Sequence, residues 1–259
     1  MSTTITTELI KELRDSTGIS VMQCKRALEE AEGDMEKALA ILKKTSSDIA
    51  LKKADREAND GAVVVKSNNE KTILLALHCE TDFVSKNEDF QKLLNTLADK
   101  ALTEGAENAK NSAKDLIDPI VQKTGENIQI GDIYEITGES VGNYVHNGKS
   151  AVVVSLTGGD ADLAKDIAMH IAAMKPEYIT EAEIGEEIKN TMKEIFEKEV
   201  ASIDKPEDIK AKMLEGKMNT YFKEKTLLSQ PFIKNGDETI SVLLERNKAQ
   251  IKEVKRYSI

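Results

Sequence analysis

Apolar residues recur at helical spacing from the start of the chain. Leu9, Ile10 and Leu13 put an apolar face on a first segment that stops at Thr17-Gly18. Ser20 and Gln23 form an S-x-x-Q capping box that opens a second helix, with Val21, Cys24, Ala27 and Leu28 for its inner face. Gly33 ends that helix, and Asp34 caps a third carrying Met35, Ala38, Leu39 and Leu42. Three short helices with tight connections predict a compact module over residues 1–50. A charged, partly helical linker over 51–61 follows.

Beyond the linker the period changes from helical to alternating and β-branched. Ala62-Val63-Val64-Val65, a polar turn at Ser67-Asn68-Asn69-Glu70, and the run Thr72 to Leu77 predict a β-hairpin. A helix with Phe90, Leu93, Leu94, Leu97 and Ala101 on one face comes next. The plan then recurs: Val141 to Val145, a turn His146-Asn147-Gly148-Lys149, the strand Ala151 to Leu156, and a helix with Leu163, Ile167, Ile171 and Met174. Lys71 and Lys149 occupy matching places 78 residues apart.

The two copies differ where strand meets helix. The second uses Thr157-Gly158-Gly159-Asp160, an ordinary small-residue turn. The first uses Thr81-Asp82-Phe83-Val84, which puts an aromatic between an acid and Lys86. One reading makes Asp82 a helix N-cap and Phe83 a staple folded back on its own helix. The other aims Phe83 at something outside the chain. The glycine copy tilts the balance towards the second, because the scaffold closes there without an aromatic.

From Glu181 to Phe222 the pattern is purely helical. Ile184, Ile188, Ile195 and Val200 mark one helix, and Ile209, Met213, Met218 and Phe222 a second, with Pro206 in its first turn. This predicts an antiparallel hairpin inserted at 180–228. Gln230-Pro231-Phe232, a helix around Val242-Leu243-Leu244, and a strand Ile251 to Tyr257 that returns to the sheet complete the tail. The predicted class is α+β: a three-helix, ubiquitin-associated-like module at 1–50, a core whose halves cover 62–140 and 141–179 with 229–259, and the inserted helical hairpin.

Composition narrows the function classes. Net charge is −10 over 259 residues, with 32% charged and 4% aromatic residues, so the surface repels nucleic acid overall. Cys24 and Cys79 are far apart, as expected of reduced thiols rather than a disulfide framework. Neither a secretory signal nor a run of membrane-spanning length is expected, which places the chain in the cytoplasm with no membrane partner.

Candidate chemistry is thin. Gly142 to Ser150 approaches a phosphate-binding loop, yet Gly142 stands one residue too far upstream and a β-branched run follows where a helix is required. Asn147-Gly148 reads instead as a hairpin turn. His78, His146 and His170 lack metal-ligand spacing, so no metal is expected. His78 beside Cys79 suggests a thiol nucleophile, but neighbours on a strand point to opposite faces. His170 reads as a core residue and exposed His146 as an even choice between contact and none. No active site or cofactor is expected, and the chain is not read as an enzyme.

Leu13-Arg14-Asp15-Ser16-Thr17-Gly18-Ile19-Ser20-Val21-Met22-Gln23-Cys24-Lys25-Arg26-Ala27-Leu28 resembles the N-terminal motif of the bacterial elongation factor Ts family. Cys79-Glu80-Thr81-Asp82-Phe83-Val84-Ser85-Lys86 resembles its central motif. Gly125-Glu126-Asn127-Ile128, Tyr144-Val145-His146, Ala168 to Pro176 and Gln230-Pro231-Phe232 follow in family order. Thr124 stands where relatives often carry isoleucine, and the extra C-terminal helical module of some relatives is not expected after Ile259.

The resemblance implies a guanine-nucleotide exchange factor for elongation factor Tu, the GTPase that delivers aminoacyl-tRNA, with a coiled-coil hairpin in its core. It implies that Thr81, Asp82, Phe83 and Val84 displace Mg²⁺ from the GTPase, and that Val21, Met22 and Lys25 hold the same domain. It places His146 in a core contact near the nucleotide-binding side, with a dimer of such complexes as a further expectation. Two rival readings remain: an adaptor whose N-terminal helices bind a ubiquitin-like or helical partner without exchange, and a Cys79 hydrolase.

Overall fold

The computed structural model describes residues 5–259. It is a mixed α+β structure in two compact units, one of 5–137, 145–151 and 256–259, the other of 138–144 and 152–255.

The first unit opens with α1 (Thr7–Thr17), α2 (Val21–Glu30) and α3 (Met35–Lys53). Each start is fixed by its sequence: Thr6, Ser20 and Asp34 accept from the backbone N–H of Leu9, Gln23 and Lys37. Gly18 ends α1 in the left-handed region at φ 68°, and its N–H reaches Arg14 O. Leu13, Ile19, Cys24, Ala27, Leu28, Ala38 and Leu42 form the buried core of the three helices. Two predicted core residues are outside it, since Val21 and Leu39 are exposed. Val21 is the first residue of α2, so helix neighbours flank it on one side only.

Strands β1 (Asp60–Ser67), β2 (Thr72–Cys79) and β3 (Gln129–Ile136) form an antiparallel sheet in that order. The central position of β2 explains its unbroken apolar run: Ile73 to Leu77 are fully buried on both faces. Between β2 and β3 lie α4 (Asp82–Ser85), α5 (Glu88–Glu104) and α6 (Ala106–Thr124). Phe90, Leu93, Leu94 and Leu97 of α5 pack with Ile73, Leu75 and Leu77. Each such side chain contributes about 1.5–3 kcal/mol on burial. The apolar stripe Ala109, Ala113, Ile117, Val121 seats α6 on the same core, despite Pro119 inside the helix. Neither α6 nor β3 was anticipated as an element. The α6 stripe is half alanine and interrupted by proline, and β3, at the edge of the sheet, alternates weakly.

The sheet of the second half runs β4 (Ser140–His146), β5 (Ser150–Thr157), β8 (Gln250–Ser258), so the last strand does return to it. Helix α7 (Ala161–Met174) packs with Val152, Val154 and Leu156 of β5. Gly142 is required in β4, because a Cβ there would strike the backbone of Ala164 and Lys165. Met174, predicted for the inner face of α7, is exposed because it is the last residue before the left-handed cap Lys175.

Helices α8 (Glu186–Ala201) and α9 (Glu207–Lys225) pack side by side, and Tyr178 pairs with Thr226 where the chain enters and leaves them. Pro206 precedes α9 as its N-cap rather than lying in its first turn. Ile188 and Ile195 are exposed rather than inside the pair. The short strands β6 (Pro231–Phe232) and β7 (Asn235–Thr239) then lead into α10 (Ile240–Arg246).

His170 is a core residue, as read from the sequence. It is fully buried, its Nδ1 accepts the Ile233 N–H at 3.2 Å, and its Nε2 lies 2.9 Å from Gln230 Oε1. Accepting at Nδ1 assigns the proton to Nε2, so the ring is neutral. Burial lowers its pKa below the usual value, and the Gln230 bond opposes that shift. A protonated ring would also turn an Nδ1–H towards the Ile233 N–H. Stability from this group is therefore complete above the unfolded value of about 6.5 and declines as pH falls through the lower folded value. Urea midpoints between about pH 7.5 and pH 5.5 should drop, and His170→Gln should flatten that slope. Equal slopes in both proteins would contradict the assignment.

Candidate partner-binding site

Strand β2 is buried up to Cys79, and the chain must then turn into α5 within a few residues. Thr81 makes the turn: its backbone is extended at φ −132°, and its hydroxyl accepts the Val84 N–H, capping α4. Asp82 is therefore in the first turn and is not the cap. Its carboxylate faces solvent and pairs with Lys86 at 2.7 Å. That hydrogen bond, then the charge of Asp82, raises the Lys86 pKa.

Other groups tie the turn down. Glu126 accepts the N–H of Glu80 at 3.1 Å and of Thr81 at 3.0 Å, and its second oxygen accepts the Thr81 hydroxyl at 2.6 Å. Glu80 returns the favour by accepting the Asn127 N–H at 2.7 Å. Ser85 is buried, and its carbonyl accepts from Gln91 Nε2 at 2.6 Å. Val84 packs against the α5–α6 core.

Phe83 is the exception. While Val84 and Ser85 turn inward and Thr81 is held by Glu126, the Phe83 ring is 83% exposed, the highest value among the described large apolar residues. The staple reading is thereby overturned: an aromatic folded onto its own helix would be covered. The corresponding turn of the second half closes with Gly158 and Gly159 at φ 73° and 65° and caps α7 with Asp160.

Val21 and Met22 are also exposed, at 46% and 61%, and Lys25 pairs with Glu29 along α2. Lys123 connects this region to α5. Its ammonium pairs with Asp89 at the start of α5 at 2.5 Å, and a Cβ on Gly18 would lie 3.0 Å from its Nζ. The loop leading into Val21 and the first turn of α5 thus flank one lysine. His146 stands at the β4–β5 tip, where Asn147 and Gly148 adopt φ 52° and 67°, the mirror-image turn expected of Asn-Gly.

The Cys79 nucleophile is excluded by geometry. Cys79 is buried, and burial, then the charges of Asp60 and Glu126, push its thiol up to about 12. Its Sγ–H contacts Thr81 O at 3.2 Å, while the His78 ring bonds to Tyr257 OH at 2.7 Å. Among the described residues no group of His, Cys, Asp and Glu is placed to hold a metal, and no helix is long and apolar enough to cross a membrane.

A family model described as Elongation factor TS matches residues 80–259. The elongation factor Ts of Thioalkalivibrio sulfidiphilus (strain HL-EbGR7) is 38% identical over 270 residues, covering 99% of this chain and 92% of its own length. That of Hahella chejuensis (strain KCTC 2396) is 37% identical, covering 98% of this chain and 92% of its own. The chain belongs to the elongation factor Ts family. Its role is in translation elongation. The elongation factor Ts of Nitrosospira multiformis (strain ATCC 25196 / NCIMB 11849 / C 71) is 38% identical over 95% of this chain.

Sequence reasoning missed the residues that hold the elongation factor Ts turn in place. Glu126 had a signal, since it lies in the Gly125-Glu126-Asn127 motif, but nothing in its spacing shows that it reaches back to Glu80 and Thr81. Asp60, which reaches the turn through Lys149 and Ser85, carried no signal at all.

Proposed function

We propose that this protein is the guanine-nucleotide exchange factor of elongation factor Tu, binding the GDP-bound GTPase and promoting GDP release. The observation that carries the reading is Phe83, held out to solvent by a turn that Glu126 fastens at Thr81 and that buries Ser85. Thr81, Asp82, Phe83 and Val84 form the element that dislodges Mg²⁺. Val21, Met22 and Lys25 hold the same GTPase domain, and His146 supplies a contact from the core. The helices of 1–50 act as a ubiquitin-associated-like module, the linker is 51–61, and the core halves are 62–140 and 141–179 with 229–259. The coiled-coil hairpin of 180–228 is an insertion, and the complexes pair as dimers.

No bond needs to be made or broken. A nucleotide held at nanomolar strength has about −12 kcal/mol of binding free energy. In a P-loop protein much of that comes from Mg²⁺ and oriented backbone amides around the phosphates. An aromatic seated between partner helices stabilises a conformer in which those groups are displaced, by about 1.5–3 kcal/mol. The coupling is reciprocal: this protein weakens GDP as much as GDP weakens it, and incoming GTP releases it.

Release of a fluorescent GDP from elongation factor Tu tests the reading directly. Acceleration by this protein is expected, whereas an adaptor without exchange activity would leave the rate unchanged. Removing all residues before Ala58 is a poor probe of the first module. Helix α3 is bonded to α6 through Ser47–Asp118 and Lys43–Asp115, and Ile49 and Ala50 pack on the α5–α6 core. The double variant Val21→Ser, Met22→Ser is cleaner, because both side chains are exposed. It should weaken binding to the GTPase by about tenfold at unchanged thermal stability. An unaltered Kd by calorimetry would remove α2 from the interface.

A further inference from the structure

The lysine that gave 142–150 its misleading likeness to a phosphate loop has a different occupation in the fold. Lys149 Nζ donates to Asp60 Oδ1 at 2.5 Å, to Gly61 O at 2.6 Å and to Ser85 Oγ at 3.1 Å. An ammonium has three N–H groups, and all three are used within the chain. None is left for a phosphate.

The acceptors are what matter. Asp60 and Gly61 begin β1, and Ser85 ends α4. Buried Ser85 passes the contact on, because its hydroxyl donates to Asp82 O at 3.2 Å. That carbonyl belongs to the peptide bond joining Asp82 to Phe83. On the other side, Lys149 N–H donates to His146 O at 3.0 Å and closes the tip that carries His146. The tip backbone is knitted in as well: Gly148 O accepts from Val63 N–H at 2.8 Å and Lys149 O from Ile259 N–H at 2.9 Å. The matching lysine of the first half, Lys71, does something simpler, pairing with Glu135 of β3 at 3.1 Å.

We propose that Lys149 is a positioning residue that fastens the β4–β5 tip to the α4 turn, so that His146 and Phe83 are presented to the partner as one pre-organised surface. The link runs from Lys149 through Ser85 to the Asp82–Phe83 peptide, with Asp60 as counter-charge. This rests on the exchange-factor reading for its consequence but not for its geometry. Pre-organisation matters because an aromatic ordered only on binding loses part of its contribution to that ordering. Lys149 and Asp60 are half-buried, and hydrogen bonds from a charged donor are stronger than neutral ones.

Two measurements test it. Hydrogen exchange in the free protein reads the clasp itself through the Ser85 and Lys86 amides, which bond to Thr81 O and Asp82 O. Lys149→Met and Asp60→Asn should each speed these amides on the order of tenfold, with the amides of α7 unchanged. Asp60→Asn retains an acceptor and is the gentler variant should Lys149→Met fold poorly. Unchanged protection at 85 and 86 in a folded variant overturns the proposal, whether or not the wild type accelerates GDP release.

Stopped-flow GDP release from elongation factor Tu then reads the consequence. Lys149→Met should slow release, and combined with Phe83→Ala it should lose well short of the product of the two single losses. A loss equal to the full product would show that Lys149 acts independently of the turn, and would overturn the proposal. A wild type that accelerates nothing would fail the exchange-factor reading and leave hydrogen exchange to decide the clasp.

Discussion

Phe83→Ala is expected to slow elongation factor Tu's release of GDP by about 10- to 100-fold while leaving the fold intact. The rate follows from losing a buried aromatic's contribution to the partner complex, about 1.5–3 kcal/mol, at about 1.4 kcal/mol per factor of ten. Stability should fall by less than about 1 kcal/mol, because the ring that is removed is 83% exposed and covers nothing in the free protein. The turn does not need it: Thr81, Glu126, Ser85 and Gln91 make its bonds. Thermal unfolding and stopped-flow release on one preparation give both numbers. A large stability loss with normal release per folded molecule would mean that Phe83 serves the fold.

Phe90→Ala should show the opposite pattern. Phe90 lies in α5, fully buried among Ile73, Leu75 and Leu94. Truncation there leaves a cavity against the central strand and should cost about 3–5 kcal/mol, a large fraction of the stability of a typical domain. Chemical denaturation should show it as a lower midpoint with a similar slope. The folded fraction should still accelerate GDP release from elongation factor Tu at close to the normal rate, because α4 keeps its own hydrogen bonds. A Phe90→Ala protein as stable as wild type would mean that the α5 core is loosely packed. Two phenylalanines seven residues apart thus divide stability from activity, and the division follows exposure.

Much of this division was legible in advance. Period alone marked Phe90 as core, since Leu93, Leu94 and Leu97 share its face, and marked Phe83 as odd, since its turn has no apolar period to belong to. The capping residues Ser20 and Asp34 were equally plain, because an N-cap is a local bond between residues three apart. The family motifs supplied names for the roles but not the geometry.

Local rules misjudged residues at the ends of elements. Val21 and Met174 continue the apolar faces of their helices and are exposed all the same, because a face is buried only where another element covers it. Asp82 had the right chemistry for a cap and lost the place to Thr81, whose extended backbone is held by Glu126 from 45 residues away. Helix α6 was unread because small residues and Pro119 carry little hydrophobic period, although α3 and α5 both pack on it.

The α+β class, the three N-terminal helices with the caps of the second and third, the repeated hairpin-and-helix plan and the exceptional character of Thr81 to Val84 are all written in the local order of residues. Each is a matter of side-chain period, or of a bond spanning a few residues. That Lys149 serves Ser85 rather than a phosphate, that Glu126 closes the turn and that Phe83 is left outside emerge with the folded chain alone. Those outcomes depend on atoms 45 to 64 residues apart being brought within hydrogen-bond range. A chain's local periodicity carries no record of which distant partner folding will supply.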